Sequence, residues 1–227
     1  MTALFLRASI FDSIVKIDMT VKNGVSDRMV GTRQFDEDAL LEAALETFWQ
    51  NGFAATSMID VAEATGVQRG SLYNAYGDKE QLFLLAFERY SIRFLDFVRQ
   101  ALSDPDPVVA LTTLFKGVVA NMTEGAPSRG CLTTRTAIEL PLAGKAIEAR
   151  VRRLIEDLTA LIRETLSTPA ARRQLSCDPA MAADLVVTFT RGLAVMERAF
   201  HNPQHLDKMS KQFVRVLLPD GRRGRSR

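Results

Sequence analysis

Between residues 36 and 218 the apolar side chains recur at steps of three and four, and no stretch alternates apolar with polar. Leu82, Ala86, Phe87, Tyr90, Phe94, Phe97 and Val98 form one such stripe, and Ile147, Val151, Leu154, Leu158 and Leu161 form another. That period belongs to helices with one buried face. A chain that carries it throughout must pack helix on helix, so the fold class predicted is all-α. Helix-stopping residues, among them Asn51-Gly52, Gly66, Gly77, Pro105, Pro127 and Pro141, cut the pattern into nine helices. These fall near residues 35–53, 57–65, 68–76, 78–103, 108–121, 131–140, 144–167, 179–200 and 204–218.

A length of 227 residues with 47% apolar and 25% charged side chains is that of an ordinary globular protein. A net charge of +2 excludes a broadly basic nucleic-acid coat and a broadly acidic, disordered chain. No uninterrupted run of about 18 apolar residues predicts a membrane span. Arg7 and Asp12 break the apolar start before a signal peptide can form. Cys131 and Cys177 are too few for a disulfide framework and read as reduced thiols, so a cytoplasmic protein is expected. The two histidines, His201 and His205, are separated by Pro203, which interrupts any shared helix face, so no metal site is expected. No dinucleotide, phosphate-loop or nucleophile-elbow motif occurs, so neither a cofactor nor an enzyme is expected. Residues 1–34 lack periodicity and read as a loosely ordered arm, or as an over-extended start of the reading frame. Residues 219–227, with four arginines, read as a basic solvated tail.

The segment that carries function runs from Ser57 to Gly77. Ser57 with Asp60 forms a capping-box start, and Gly66 is placed to end the helix in the left-handed region. Ala62, one turn before that glycine, is small enough for a second helix to cross closely. Val61, Val67 and Leu72 supply the apolar plugs. Two short helices so joined form a helix-turn-helix, which projects its second helix, residues 68–76, into a major groove.

Three runs closely resemble the DNA-binding half of TetR/AcrR-type regulators: Gly52-Phe53-Ala54-Ala55-Thr56-Ser57, Val61 to Val67, and Gly70-Ser71-Leu72-Tyr73-Asn74-Ala75-Tyr76 followed by Asp78-Lys79-Glu80-Gln81-Leu82. The resemblance covers residues 36–87. The remaining helices are similar to the family's effector-binding and dimerisation half by layout only. It implies a helix-turn-helix domain at 35–78 and a ligand-binding and dimerisation domain at 79–218. It also implies a homodimer, a palindromic double-stranded DNA operator and a small-molecule effector. Carried to matching positions, Gln68, Arg69, Ser71 and Asn74 would face base edges or phosphates. Gly70 would let the helix sit close to DNA, and Tyr73 would place its hydroxyl on a phosphate. Thr56 or Ser57, and Lys79, would clamp the backbone. Arg69 is the candidate for a bidentate guanine contact.

Each assignment has a plainer reading. Tyr73 also reads as a core residue, Arg69 as a solvated one, and Lys79 as a surface ion-pair partner. From Asp36 to Glu80 nine acids stand against two bases, a net charge of −7, which is the wrong sign for a DNA footprint. Lys22, Arg28 and Arg33 in the arm are candidates to compensate. The acidity keeps a rival open, a helical ligand-binding or protein-interaction module that has lost DNA binding. Phe87, Phe94, Phe115 and Cys131 are candidates to line the effector cavity, the rings reading equally as core. Cys131, near Arg129 and a helix start, reads either as a small buried hydrophobe or as a thiol sensor. Phe189, Gly192, Leu193, Met196, Phe200 and Phe213 are the dimer-interface candidates, against ordinary packing within one chain.

Overall fold

The computed structural model describes residues 36–219, and the expectations for the arm and for nearly all of the basic tail lie outside them. Among the described residues there are ten α-helices, one 3-10 turn and no strand. They are α1 (Glu37–Asn51), α2 (Met58–Thr65), α3 (Arg69–Tyr76), α4 (Lys79–Ala101) and α5 (Pro107–Met122), then α6 (Leu132–Glu139), α7 (Lys145–Leu166), α8 (Pro169–Arg172), α9 (Pro179–Phe200) and α10 (Pro203–Leu217). The 3-10 turn, Leu140–Leu142, follows α6. The helix absent from the sequence reading is α8. It holds four residues, started by Thr168 capping the Ala171 amide, and is too short for any periodicity to mark.

The helix starts are written into the chain. Asp36, Ser57, Asp78, Asp106, Thr168, Asp178 and Asn202 each accept a hydrogen bond from a backbone amide of the first turn. Such a cap is worth about 1 kcal/mol. Pro107, Pro169, Pro179 and Pro203 stand at first-turn positions, where the missing amide proton costs nothing. His201, in the left-handed region at φ 47°, caps the end of α9, and α10 begins two residues later, so the two histidines share no helix.

α4 is the shared wall of the molecule. It packs against α1 on one side and against α5 and α7 further along, while α9 lies on α7 and α10 on α5. Along α4 the rings of Phe83, Phe87, Tyr90, Phe94 and Phe97 follow one another at centroid spacings from 5.5 to 6.4 Å. Phe87 and Phe94, expected as cavity-lining candidates, have their rings buried in this stack. Phe115 is buried too, edge-on to both Phe189 and Phe213.

The dimer candidates divide in the same way. Phe189 and Phe213 stack on each other at 4.1 Å within one chain, and Leu193 is buried in the core. Those three are intrachain packing. Gly192 has open space where a side chain would stand, and Met196 and Phe200 are exposed. Met181, Leu185, Val195, Met209 and Val216 join them as exposed apolar residues on α9 and α10. α9 is long and apolar enough to cross a membrane by length and composition alone. One of its faces is core, with Ala182, Ala183, Val186, Thr190 and Leu193 buried. Its other face is the one left exposed.

Candidate nucleic-acid interface

The Ser57 hydroxyl accepts from the amides of Ile59 and Asp60 at 3.2 Å each, and the Asp60 carboxylate accepts from the Ser57 amide at 2.7 Å. These hydrogen bonds, the backbone one first, hold the Asp60 carboxyl below the usual carboxylate range. α2 ends at Gly66, whose φ of 68° is left-handed. An L side chain there costs about 1–2 kcal/mol, which is why the turn takes glycine. Val61 and Leu72 are fully buried across the turn, with Val67 half-buried beside them. The angle between α2 and α3 is therefore fixed by packing, not by α3 itself.

That packing leaves one face of α3 free. Leu72 and Tyr76 point inward, while Gln68, Arg69, Gly70, Tyr73 and Asn74 are exposed and Ser71 is half-buried. Tyr73 is 40% exposed, so its plainer reading as a core tyrosine does not hold. The Arg69 guanidinium lies 5.3 Å from the Tyr73 ring centre and 3.4 Å from its hydroxyl. The pair presents one cation and one phenol side by side, and α3 carries no carboxylate.

Two clamp candidates sit differently. Thr56 is 2% exposed, and its hydroxyl donates to the Gly52 carbonyl at 2.6 Å. Its side chain closes the α1–α2 turn, leaving Ser57 as the exposed hydroxyl. The Lys79 ammonium donates to the Phe53 carbonyl at 2.9 Å and lies 4.4 Å from the Phe53 ring centre. It ties the start of α4 to that same turn and does not point freely to solvent.

Three of the acids counted from the sequence have partners outside the counted stretch. Arg89 and Arg93 of α4 pair with Asp38 and Glu42 of α1, the second pair at 2.8 Å, and Arg129 lies 3.8 Å from Glu46. Asp36, Asp60 and Asp78 are engaged as helix caps. Six of the nine counted carboxylates are thus engaged by arginines beyond the counted stretch or by helix starts, and none of the nine lies on α3.

The residues after Glu124 form a second contact with α1, which sequence reasoning missed. The Trp49 indole donates to the Gly130 carbonyl at 3.1 Å, and the Arg129 guanidinium lies 4.2 Å from the Trp49 ring centre. Arg135 of α6 donates to the Gln50 carbonyl at 2.8 Å, and Glu139 accepts from the Ala54 amide at 3.1 Å. Gly52, at φ 88°, has no room for a side chain, because a Cβ would strike the Glu139 carboxylate.

Cys131 stands at the start of α6, half-buried, with Arg191 Nη1 at 3.8 Å from its sulfur. Neighbouring Tyr90 bonds Thr133 Oγ1 at 3.1 Å, and burial, with Cys131 close by, pushes its hydroxyl well above the usual phenol range. One cavity is lined by Gln81, Leu84, Leu85, Glu88, Ala149 and Arg153, and another by Thr123, Ser128, Glu197, His201 and Pro203.

The family model described as bacterial regulatory proteins, tetR family, matches residues 40–86, and that of the tetracyclin repressor-like C-terminal domain matches residues 107–213. The chain is 29% identical over 170 residues to the HTH-type transcriptional repressor ComR of Escherichia coli K12, covering 72% of this chain and 80% of that one. It is 28% identical over 187 residues to the HTH-type transcriptional regulator AcrR of Shigella flexneri, covering 79% and 86% respectively. Among solved structures, a cysteine mutant of the TetR-family regulator CifR in complex with 26-base-pair operator DNA superposes with a TM-score of 0.71. It is 26% identical, and the match covers 81% of this chain and 97% of that one.

Proposed function

The chain belongs to the TetR family of bacterial regulatory proteins and is a DNA-binding transcriptional regulator, and on that premise we propose that it is a homodimeric repressor released from its operator by a small ligand. The observation that carries the reading is the free face of α3. It offers Gln68, Arg69, Tyr73 and Asn74 to solvent, bears no carboxylate, and is held at a fixed angle by a capped helix and a left-handed glycine. A helix so presented fits a major groove.

In this reading Gln68, Arg69, Ser71 and Asn74 contact bases or phosphates, and Gly70 allows close approach. Tyr73 and Ser57 donate to phosphates. Residues 36–78 read DNA, and residues 79–218 bind ligand and dimerise. Two copies meet through the exposed apolar face of α9 and α10, around Gly192, Val195, Met196 and Phe200, and the two-fold axis makes the operator palindromic. The protein works in the cytoplasm, where its DNA is. The acidity that favoured an interaction module without DNA binding weighs less once Asp38 and Glu42 of α1 are paired to α4.

Footprinting on DNA upstream of the adjacent genes is the test. A protected two-fold site of about two half-sites one helical turn apart is expected. Equal, salt-limited binding to every fragment would leave only the interaction-module reading.

A further inference from the structure

Glu197 of α9 is 1% exposed. Its Oε1 accepts from the Ser128 hydroxyl and lies 3.3 Å from His201 Nδ1. Its Oε2 is buried and has no hydrogen-bond partner among the described residues. Arg198, next in sequence, donates to the Ser128 carbonyl at 3.2 Å instead. A buried carboxylate oxygen left without a donor is costly, and such orphans are rare in folded proteins. The same residue lines a cavity of about 370 Å³ with Thr123, Gly125, Pro127, Ser128, His201 and Pro203. That volume suits a small organic molecule. Among the described residues no three His, Cys, Asp or Glu side chains gather as a metal cluster, so a bare ion is the poorer fit.

We propose that this cavity binds a small organic cation carrying N–H donors, an amine or a guanidine, with Glu197 as its counter-charge, and that this is the effector site. The second half rests on the ligand-released repressor reading above. Oε2 now lies buried toward Gly130, so the ligand's charge turns the carboxylate into the cavity, where its N–H group satisfies Oε2, and draws it away from Ser128. Ser128 adjoins Arg129 and Gly130, which hold Trp49 of α1 through the stacked guanidinium and the 3.1 Å indole hydrogen bond. Loss of the Ser128–Glu197 bond therefore shifts the segment that braces the DNA-binding half. The ligand releases DNA because it favours the arrangement in which that bond is broken.

The test uses the full chain with agmatine and benzylamine as probes, and with benzyl alcohol and benzoate as neutral and anionic controls. Calorimetry reads binding, and emission of Trp49, the sole tryptophan, reads movement at α1. Both amines are expected to bind, with benzyl alcohol about tenfold weaker or worse, as for one charge-assisted hydrogen bond. Glu197→Gln should lower amine affinity by about tenfold or more. Ser128→Ala removes the competing hydroxyl while keeping the carboxylate, so amines should bind it more tightly; it decides the matter if Glu197→Gln fails to fold. No binding by either amine, or unchanged affinity in both variants, overturns the site. Binding that depends on Glu197 but leaves operator DNA bound keeps the cation site and overturns its role as effector site. Failure to bind DNA without any ligand would instead sink the repressor reading, and leaves the calorimetric result standing.

Discussion

Arg69 and Tyr73 illustrate how little charge a reading head needs when it is well placed. Their side chains touch each other and solvent, and nothing acidic lies on their helix. Arg69→Ala should weaken operator binding by about 1–3 kcal/mol and relax base preference at one position, as measured by fluorescence anisotropy against operator variants. Tyr73→Phe should cost about 1 kcal/mol without changing base preference, since a phosphate hydrogen bond carries no sequence information. Equal affinity in both variants would move the interface elsewhere. Lys79 makes the opposite case. Its ammonium is already bound to the Phe53 carbonyl. Lys79→Met should lower unfolding stability by about 1 kcal/mol and leave the salt dependence of DNA binding unchanged. A slope smaller by about one unit would restore Lys79 as a phosphate contact.

The helix-turn-helix was legible because its determinants are local. Ser57, Asp60, Gly66 and Gly77 act on backbone within four residues of themselves, so their spacing alone predicts α2 and α3. Side-chain direction was less legible. Thr56 and Ser57 are adjacent hydroxyls of one chemical type, yet one closes a turn and the other caps a helix. The docking of α6 on α1 left no periodic trace, because Arg135 and Glu139 reach polar backbone some 85 residues away. The same limit hid Glu197. A charged residue amid apolar spacing reads as the solvated side of a helix, and only the fold buries it.

The capping box itself gives a signed pH effect. Asp60 is held below its ordinary value, so its contribution is complete above about pH 4 and is lost as the pH falls through the lowered value. Ser57→Ala should destabilise the protein by about 1 kcal/mol at neutral pH. The gap between wild type and variant, followed by urea unfolding, should narrow only below about pH 4. A gap that narrows near neutral pH would point to another group.

On the scale of the molecule, α9 has two apolar faces, and its neighbours α5, α7 and α10 leave one of them uncovered. Val195, Met196 and Phe200 are exposed around the open space at Gly192, Phe200 at 65%. Val195→Glu should convert the dimer to monomer in sedimentation and lower operator affinity more than any single change on α3, since a two-fold site is then held by one half. A variant that stays dimeric would place the contact on another surface.

The ion pairs between α1 and α4 bear on how such proteins can be recombined. A graft of the reading head cut after residue 78 would look natural, since helix and turn end there. It would strand Asp38 and Glu42 without Arg89 and Arg93, and would strip Phe48 of its partner Phe83, 5.1 Å away. A junction placed after Arg93 carries these α4 partners with it. Of two chimaeras joined to a foreign ligand domain, the longer graft should fold with the higher melting temperature and the tighter operator binding. The unit that can be exchanged is thus a head with its own length of lever attached.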